Sequence, residues 1–422
     1  MLGAFYRYFV RFFIVNLAFF VSIFSFEYYL NRENFSPYLW LKIIFHLKDI
    51  IENYQVNSIL FDFYISIFFA INLYLIIWFI RYFKYLNLPY AINIFKDIKQ
   101  IEGMQKKYKS SHDSFRKKVK TNNGYKLFYK NWVSISIDTY TEKKKEIIQY
   151  LDFEGEIDVK PWGKRGVELT FYKLPTVIQA SLLDYKKGYV NYGFGRNGNY
   201  YVPFENLIHT ICVGESGSGK SNNMHHLLQS IMLNNEIIEK VELIDLKGTE
   251  LYRYRDIEYM NFIDDINLIK EKLLYLKEVM NSRFQMMKEK NLQLYNGKFH
   301  FVFIDEVGTI GTYPNKKLRD EIFDLMIELF QKGRAARIIF FIFAQKIDST
   351  NIPSNVLANI PTKVLMKTDS DFNINNSIGT KESLEKITLV DPDSFNKGRA
   401  ILKDGYTSEK ILLQIPFIRF KD

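Results

Sequence analysis

Gly214-Glu215-Ser216-Gly217-Ser218-Gly219-Lys220-Ser221 is a complete G-x-x-x-x-G-K-S stretch. It follows the apolar run LIHTICV (207–213) and opens the helix-length segment SNNMHHLLQSIML (221–233). Strand, glycine-rich loop and helix is the context in which this motif binds phosphate. The glycines let the backbone wrap a β-phosphate, with N–H groups converging at a helix N-terminus. Lys220 is placed to reach the β- and γ-phosphates, and the Ser221 hydroxyl to hold Mg²⁺. The whole loop, from Gly214 through Ser221, is therefore the expected nucleotide-binding set.

Outward from that loop, apolar strand-like runs alternate with helix-length segments: VELID (241–245), HFVFID (300–305), RIIFFIFA (337–344) and TKVLMK (362–367). This rhythm predicts a mostly parallel sheet with helices on both faces. RAILK (399–403) and ILLQIP (411–416) flank Asp404-Gly405 and predict a terminal hairpin. The run Phe301–Ile304 ends in Asp305-Glu306, and a buried strand ending in two carboxylates calls for a cation and a proton acceptor. Asp305 is the expected partner of Mg²⁺ through water, and Glu306 the expected general base on the attacking water. The following strand ends at Gln345, where an amide at the C-terminal strand edge faces the γ-phosphate. Between the two strands, Leu318, Ile322, Leu325 and Leu329 form an apolar stripe at helical spacing, a core face. Gly333 ends that helix, and Arg334 and Arg337 follow on a turn from which a guanidinium could reach a neighbouring subunit's nucleotide.

The chain has 422 residues, with 57 Lys and Arg against 47 Asp and Glu. Its 47% hydrophobic content excludes a disordered tail. One Cys excludes an intramolecular disulfide framework, and six scattered His argue against a structural zinc site. The adjacent His225 and His226 point to different helix faces, Cys212 lies on a core strand, and Met286 and Met287 read as helix packing.

The N-terminal quarter reads as membrane. Residues 63–80 (FYISIFFAINLYLIIWFI) carry no charge over eighteen residues, close to the bilayer hydrocarbon thickness. Residues 12–26 form a shorter uncharged run flanked by Arg11 and Glu27, read as a span rather than a cleaved leader. Spans at about 9–27 and 62–80 make a two-helix anchor, residues 1–84. Arg7 and Arg11 before it, and Arg81, Lys84 and Lys96 after it, place both ends in the cytoplasm. The expectation is a multi-pass protein of the cytoplasmic (inner) membrane with its soluble part inside.

Residues 85–130 are expected to be a basic juxtamembrane linker. From Gly103 to Lys130 there are nine positive residues (Lys106, Lys107, Lys109, Arg116, Lys117, Lys118, Lys120, Lys126 and Lys130) against the single acid Asp113. Such a stretch suits anionic lipid or nucleic acid. Residues 131–203 contain WVSISIDTY, GEIDVKPWG, VELTFYKL and YVNYGFGRNGNYYVP, short alternating runs with turn signals such as Arg196-Asn197-Gly198. They predict a small β-rich domain. Residues 204–422 form the α/β P-loop part.

From about Gly193 to Asp404, half the chain, the sequence resembles the FtsK/SpoIIIE branch of the FtsK–HerA ring ATPases. FGRNGNYYVPFENLIHTICVGESGSGKSN (194–222), including His209, resembles the family's lead-in to its nucleotide loop. IDLKGTEL, with Asp245 and Lys247, and VMNSRFQMMKEKNLQLYN, with Arg283, resemble later family segments; QKGRAARIIFFIFAQK and ANIPTKV are the most diagnostic. The resemblance implies a RecA-like motor, ATP hydrolysis between subunits of a hexameric ring, double-stranded DNA in the pore, and a trans-acting arginine that maps onto Arg334. The family's T-Q-R-P is Ala344-Gln345-Lys346-Ile347 here, and an Arg of its N-I-P-T-R-I segment is Lys363, so positive charge is kept while the DNA-contact chemistry differs. A two-span anchor without a following winged-helix module looks like the coupling proteins of conjugative elements. The expected function is an ATP-driven pump delivering double-stranded or single-stranded DNA to a conjugative secretion channel, with channel and relaxase partners. A chromosome-segregation translocase and an FtsK-like ATPase energising protein secretion are the alternatives.

Overall fold

The computed structural model describes residues 115–130, 137–164, 166–181, 184–347 and 352–420, together with residues 70–74 and 77 of a helix. The expected spans 9–27 and 62–80 lie outside the described residues apart from that short helical piece. Among the described residues no helix is long and apolar enough to cross a membrane. The linker residues 85–114 also lie outside them.

Two sheets organise the rest. The smaller comprises β1 (Phe115–Thr121), β2 (Gly124–Lys130), β3 (Glu156–Pro161) and β4 (Gly166–Tyr172), antiparallel in the order β1-β2-β4-β3. Two helices, α1 (Ile137–Glu142) and α2 (Lys144–Tyr150), connect β2 to β3. One sheet face is apolar: Leu127, Ile157, Leu169 and Phe171 are buried with Ile147 of α2. β1 is the edge strand, and Arg116 to Lys120 along it are exposed, a charged edge of the kind that resists edge-to-edge pairing.

This arrangement moves two expected boundaries. Residues 115–130 carry six of the nine basic residues of the stretch from Gly103 to Lys130, yet they form the hairpin β1–β2, and β2 pairs with β4 because Leu127, Phe128 and Tyr129 supply buried side chains between the lysines. Conversely, β5 (Tyr189–Gly195) and β6 (Gly198–Pro203) form the hairpin expected at Arg196-Asn197-Gly198, but they extend the larger sheet through β14 (Lys410–Gln414) instead of joining the small one. Ile137–Tyr140, the end of the expected strand WVSISIDTY, is helical.

The larger sheet has the order β6-β5-β14-β13-β12-β7-β11-β10-β8-β9. Its strands are β7 (Thr210–Val213), β8 (Ile238–Asp245), β9 (Met260–Ile263), β10 (Phe299–Asp305), β11 (Ile338–Ala344), β12 (Thr362–Leu365) and β13 (Arg399–Lys403), with β5, β6 and β14 as above. From β12 to β9 every neighbouring pair is parallel, and β13, β14, β5 and β6 add an antiparallel wing. The terminal hairpin β13–β14 is as expected.

The central strand β11 is apolar at every position, and β10 from Phe301 to Ile304, because both faces are covered. Phe301 and Phe303 of β10 point to a core shared with Leu227 and Leu228 of α3 (Lys220–Met232). Val302 and Ile304 point the other way, to Ile269 and Leu273 of α4 (Ile266–Glu289), and to Ile322 and Met326 of a helix spanning Lys316–Lys332. Phe303 stacks on Phe341 of β11 at 4.8 Å between ring centroids. Truncating such a ring costs about 3–5 kcal/mol. On the Lys316–Lys332 helix, Ile322 and Leu329 of the expected stripe are fully buried, with Leu318 and Leu325 packed partly against the same core.

Candidate nucleotide site

Parallel strands bring all their C-terminal ends to one sheet edge, and here that edge collects the residues singled out by motif. Strand order matters. β7, which feeds the glycine-rich loop, is separated from the acid-bearing β10 by β11. Gln345 therefore stands between the loop and Asp305-Glu306.

The loop is held from three sides. Gly214 N–H donates to Ala344 O at 3.2 Å, Glu215 N–H to Lys367 O at 2.9 Å, and Gly398 N–H to Ser218 O at 2.9 Å. Gly217 (φ 79°) and Gly219 (φ 105°) lie in the left-handed region, which suits glycine. At Gly214 a Cβ would stand 2.8 Å from Met366 Cβ. Gly219 caps α3 with no side-chain hydrogen bond, so the first-turn N–H groups of α3 are not capped by a side chain at that position. Lys220 Nζ donates to Glu215 O at 3.0 Å, arching over the loop. Burial pulls the Lys220 ammonium below its usual pKa, against the pull of Glu306 and Asp305. Ser218 Oγ is buried without a partner, a polar atom inside the loop. Ser221 is the second residue of α3.

Asp305 ends β10 directly beside Asp245, which ends β8. Burial, then the charges of Asp245 and Glu306, push the Asp305 carboxyl up to about 6, with Lys247 opposing. Carboxylates gathered with one hydroxyl-bearing helix start are the oxygen donors a Mg²⁺ ion takes, and Ser221 and Asp305 are the residues that would hold it. Glu306 adopts φ 53° and its Oε1 accepts the Gln345 N–H at 3.2 Å. Lys247 Nζ stands 3.9 Å from Glu306 Oε2.

Two further residues shape the edge. Asp245 is fully buried and accepts four backbone N–H groups, those of Lys247, Gly248, Glu250 and Leu251, fixing the loop after β8. Asn373, on a helix at Asp371–Ser377, accepts from Ile347 N–H at 3.1 Å and donates to Gln345 O at 3.3 Å, fixing the turn that carries Gln345. The Asn373 contacts do not follow from spacing, because its partners lie on a separate element.

Arg334 is elsewhere. It precedes β11, at the opposite sheet edge from the loop, and its guanidinium lies over the Tyr406 ring at 5.6 Å. The seven residues of β11 put about 23 Å between the two edges. Arg337 is committed structurally, donating to Gly297 O at 2.6 Å and stacking on Phe299. Arg283 is buried and donates to Ala336 O and Glu239. Lys363 donates to Asn376 O. His225 pairs with Tyr254 and Glu250, whereas His226 pairs with Tyr185, so the two imidazoles diverge. Burial holds His226 down to about 4 and His209 to about 3, and pushes the Cys212 thiol up to about 12.

Comparison with known proteins agrees with this geometry. The FtsK/SpoIIIE family model matches residues 183–307. The DNA translocase FtsK of Staphylococcus aureus (strain Mu50 / ATCC 700699) is 26% identical over 243 residues, covering 51% of this chain and 30% of that protein. The DNA translocase FtsK of Campylobacter jejuni (serotype O:23/36, strain 81-176) is 23% identical over 270 residues, covering 59% and 27%. The chain thus matches less than a third of the length of these relatives. The pCW3 conjugation coupling protein TcpA, solved as a monomer with ATPγS, shares the fold with a TM-score of 0.52 and 18% identity over 72% of this chain and 88% of that one. Residues 183–307 are thus similar to the FtsK/SpoIIIE family, and they include the glycine-rich loop and the acid-bearing strand β10 of a mostly parallel sheet.

Proposed function

We propose that this chain is an ATP-driven DNA-translocating motor, anchored in the cytoplasmic membrane by its N-terminal segment and working as a homo-hexamer. The observation that carries the reading is the meeting of three strand ends at one sheet edge: the glycine-rich loop after β7, Gln345 after β11 and Asp305-Glu306 after β10. The match of residues 183–307 and the similarity to FtsK DNA translocases support DNA as the cargo.

In this reading the loop N–H groups and Lys220 bind the triphosphate. Ser221 and Asp305 hold Mg²⁺, which neutralises phosphate charge when bound. Glu306 takes the proton of the attacking water, and Gln345 orients that water toward the γ-phosphate. Arg334 cannot reach its own subunit's loop from the far edge, so it serves the neighbouring subunit's site. The two-span anchor read in the sequence supports delivery of DNA to a conjugative secretion channel, with channel and relaxase proteins as partners.

The test is ATP hydrolysis by the full chain in detergent, with and without DNA of either strandedness. DNA stimulates the rate, and Lys220→Ala removes both basal and stimulated hydrolysis. Hydrolysis indifferent to DNA but stimulated by a secreted protein substrate would replace the reading with protein export.

A further inference from the structure

The chain beyond β14 returns to the nucleotide loop. Ile415 N–H donates to Gly398 O, and Gly398 N–H in turn holds Ser218 O of the loop. The Asn222 side chain, in the first turn of α3, then takes one edge of the strap: its Nδ2 donates to Pro416 O at 2.8 Å and its Oδ1 accepts Ile418 N–H at 2.8 Å. On the other edge, Phe417 N–H donates to Ile178 O, and Phe417 O accepts Ala180 N–H. The strap is thus an extended strand seated between residues 178–180 and the start of α3. Phe420 anchors its end, edge-on to the His225 ring at 4.8 Å and covered by Arg253 at 3.9 Å.

Extended geometry alternates side chains between two faces. Pro416 is buried and Ile418 and Phe420 are half-buried, while Phe417 and Arg419 between them are exposed, Phe417 to 39%. An aromatic ring and a guanidinium therefore share one open face beside the first turn of α3, where the phosphates of a bound nucleotide sit. Phe417 therefore keeps a sizeable part of its ring open to a ligand on that face.

We propose that residues 416–419 form the base-side wall of the nucleotide site, with Phe417 stacking on the nucleobase and Arg419 on its ribose or phosphate side. This rests on the nucleotide-binding reading above and adds the part of the ligand that the glycine-rich loop does not touch. Phe417 here is a specificity and affinity residue; it takes no part in bond breaking.

The test compares two ligands on the full chain by calorimetry: ATP, and inorganic tripolyphosphate, which has no base. Base–aromatic stacking of the usual strength makes Phe417→Ala bind ATP about tenfold more weakly or worse. Tripolyphosphate affinity stays at the wild-type value, and Phe417→Trp restores ATP binding. Lys220→Ala weakens both ligands and controls for the phosphate site. If Phe417→Ala leaves ATP affinity unchanged, or weakens ATP and tripolyphosphate alike, Phe417 acts on the scaffold of α3 and the proposal falls. A wild-type chain that binds neither ligand overturns the nucleotide reading itself, a separate failure. Thermal melts of Phe417→Ala and Phe417→Trp identify a fold defect, and the Trp variant then carries the comparison.

Discussion

Glu306 and Gln345 are joined across two adjacent parallel strands: the Gln345 backbone N–H donates to Glu306 Oε1 at 3.2 Å. The contact links the residue after β10 to the residue after β11, at the edge where the glycine-rich loop lies. Glu306 makes it from a left-handed backbone, φ 53°, which costs a non-glycine residue about 1–2 kcal/mol. Backbone strain held at a carboxylate on this edge is of the kind that clusters at functional sites.

Glu306→Gln preserves the shape and the acceptor oxygen but removes the base. ATP hydrolysis by the full chain should fall by about 10²–10⁴-fold while ATP affinity changes little. Steady-state turnover and equilibrium binding on the same preparation check it. A variant unable to bind ATP would assign Glu306 to the architecture of the edge instead.

Asp305 makes the nucleotide-free site sensitive to pH. Its folded carboxyl sits near 6 against an ordinary value of 3.8. Between about pH 4 and 6 the folded chain keeps a proton that the unfolded chain has lost. This stabilisation is complete below the unfolded value and is lost as pH rises through the folded one. Asp305→Asn should therefore be more stable than wild type at pH 7.5, by about 1–3 kcal/mol, with the gap closing toward pH 4. The same variant should lose Mg²⁺-dependent hydrolysis. Melting curves at the two pH values decide; an Asn variant less stable at pH 7.5 would mean the Asp305 charge is compensated in the fold.

Asp245 predicts the opposite sign. Its carboxylate accepts four backbone N–H groups from full burial. Asp245→Ala leaves those donors unsatisfied and should cost about 2–4 kcal/mol in chemical denaturation. Asn, with one acceptor oxygen, should fall between. No loss of stability in the Ala variant would show that water replaces the carboxylate.

The parallel sheet, the loop and the acid pair were legible because each is a local signal: apolar runs bounded by turns, a fixed glycine spacing, two carboxylates at a strand end. The stripe Leu318, Ile322, Leu325, Leu329 was legible for the same reason. What spacing does not encode is which sheet a strand joins. The hairpin at Arg196-Asn197-Gly198 reads the same in either sheet, and its place beside β14 depends on a pairing more than two hundred residues away in sequence, Phe194 with Gln414. The strands within the basic stretch 115–130 were hidden by their lysines, which occupy the exposed edge while Leu127 and Phe128 carry the packing. Asn373 and the Asn222 strap act through backbone partners on other elements, a relationship invisible to any motif.

Arg334 stands at the far edge of the sheet from its own loop. Arg334→Ala should lower hydrolysis by about 10³–10⁵-fold, the range of an arginine finger, while ATP binding persists. Mixed with Lys220→Ala subunits it should regain part of the activity, since one subunit keeps the loop and its neighbour keeps the guanidinium. Demonstrated co-assembly without recovery would remove the trans assignment.

Displacement of streptavidin from end-biotinylated DNA by the full chain tests the motor most directly. With Mg²⁺ and ATP the wild-type chain should strip streptavidin from the DNA, and Glu306→Gln, still binding ATP, should not. ATP hydrolysis by the wild type with no displacement from either single- or double-stranded DNA would contradict DNA translocation as its function.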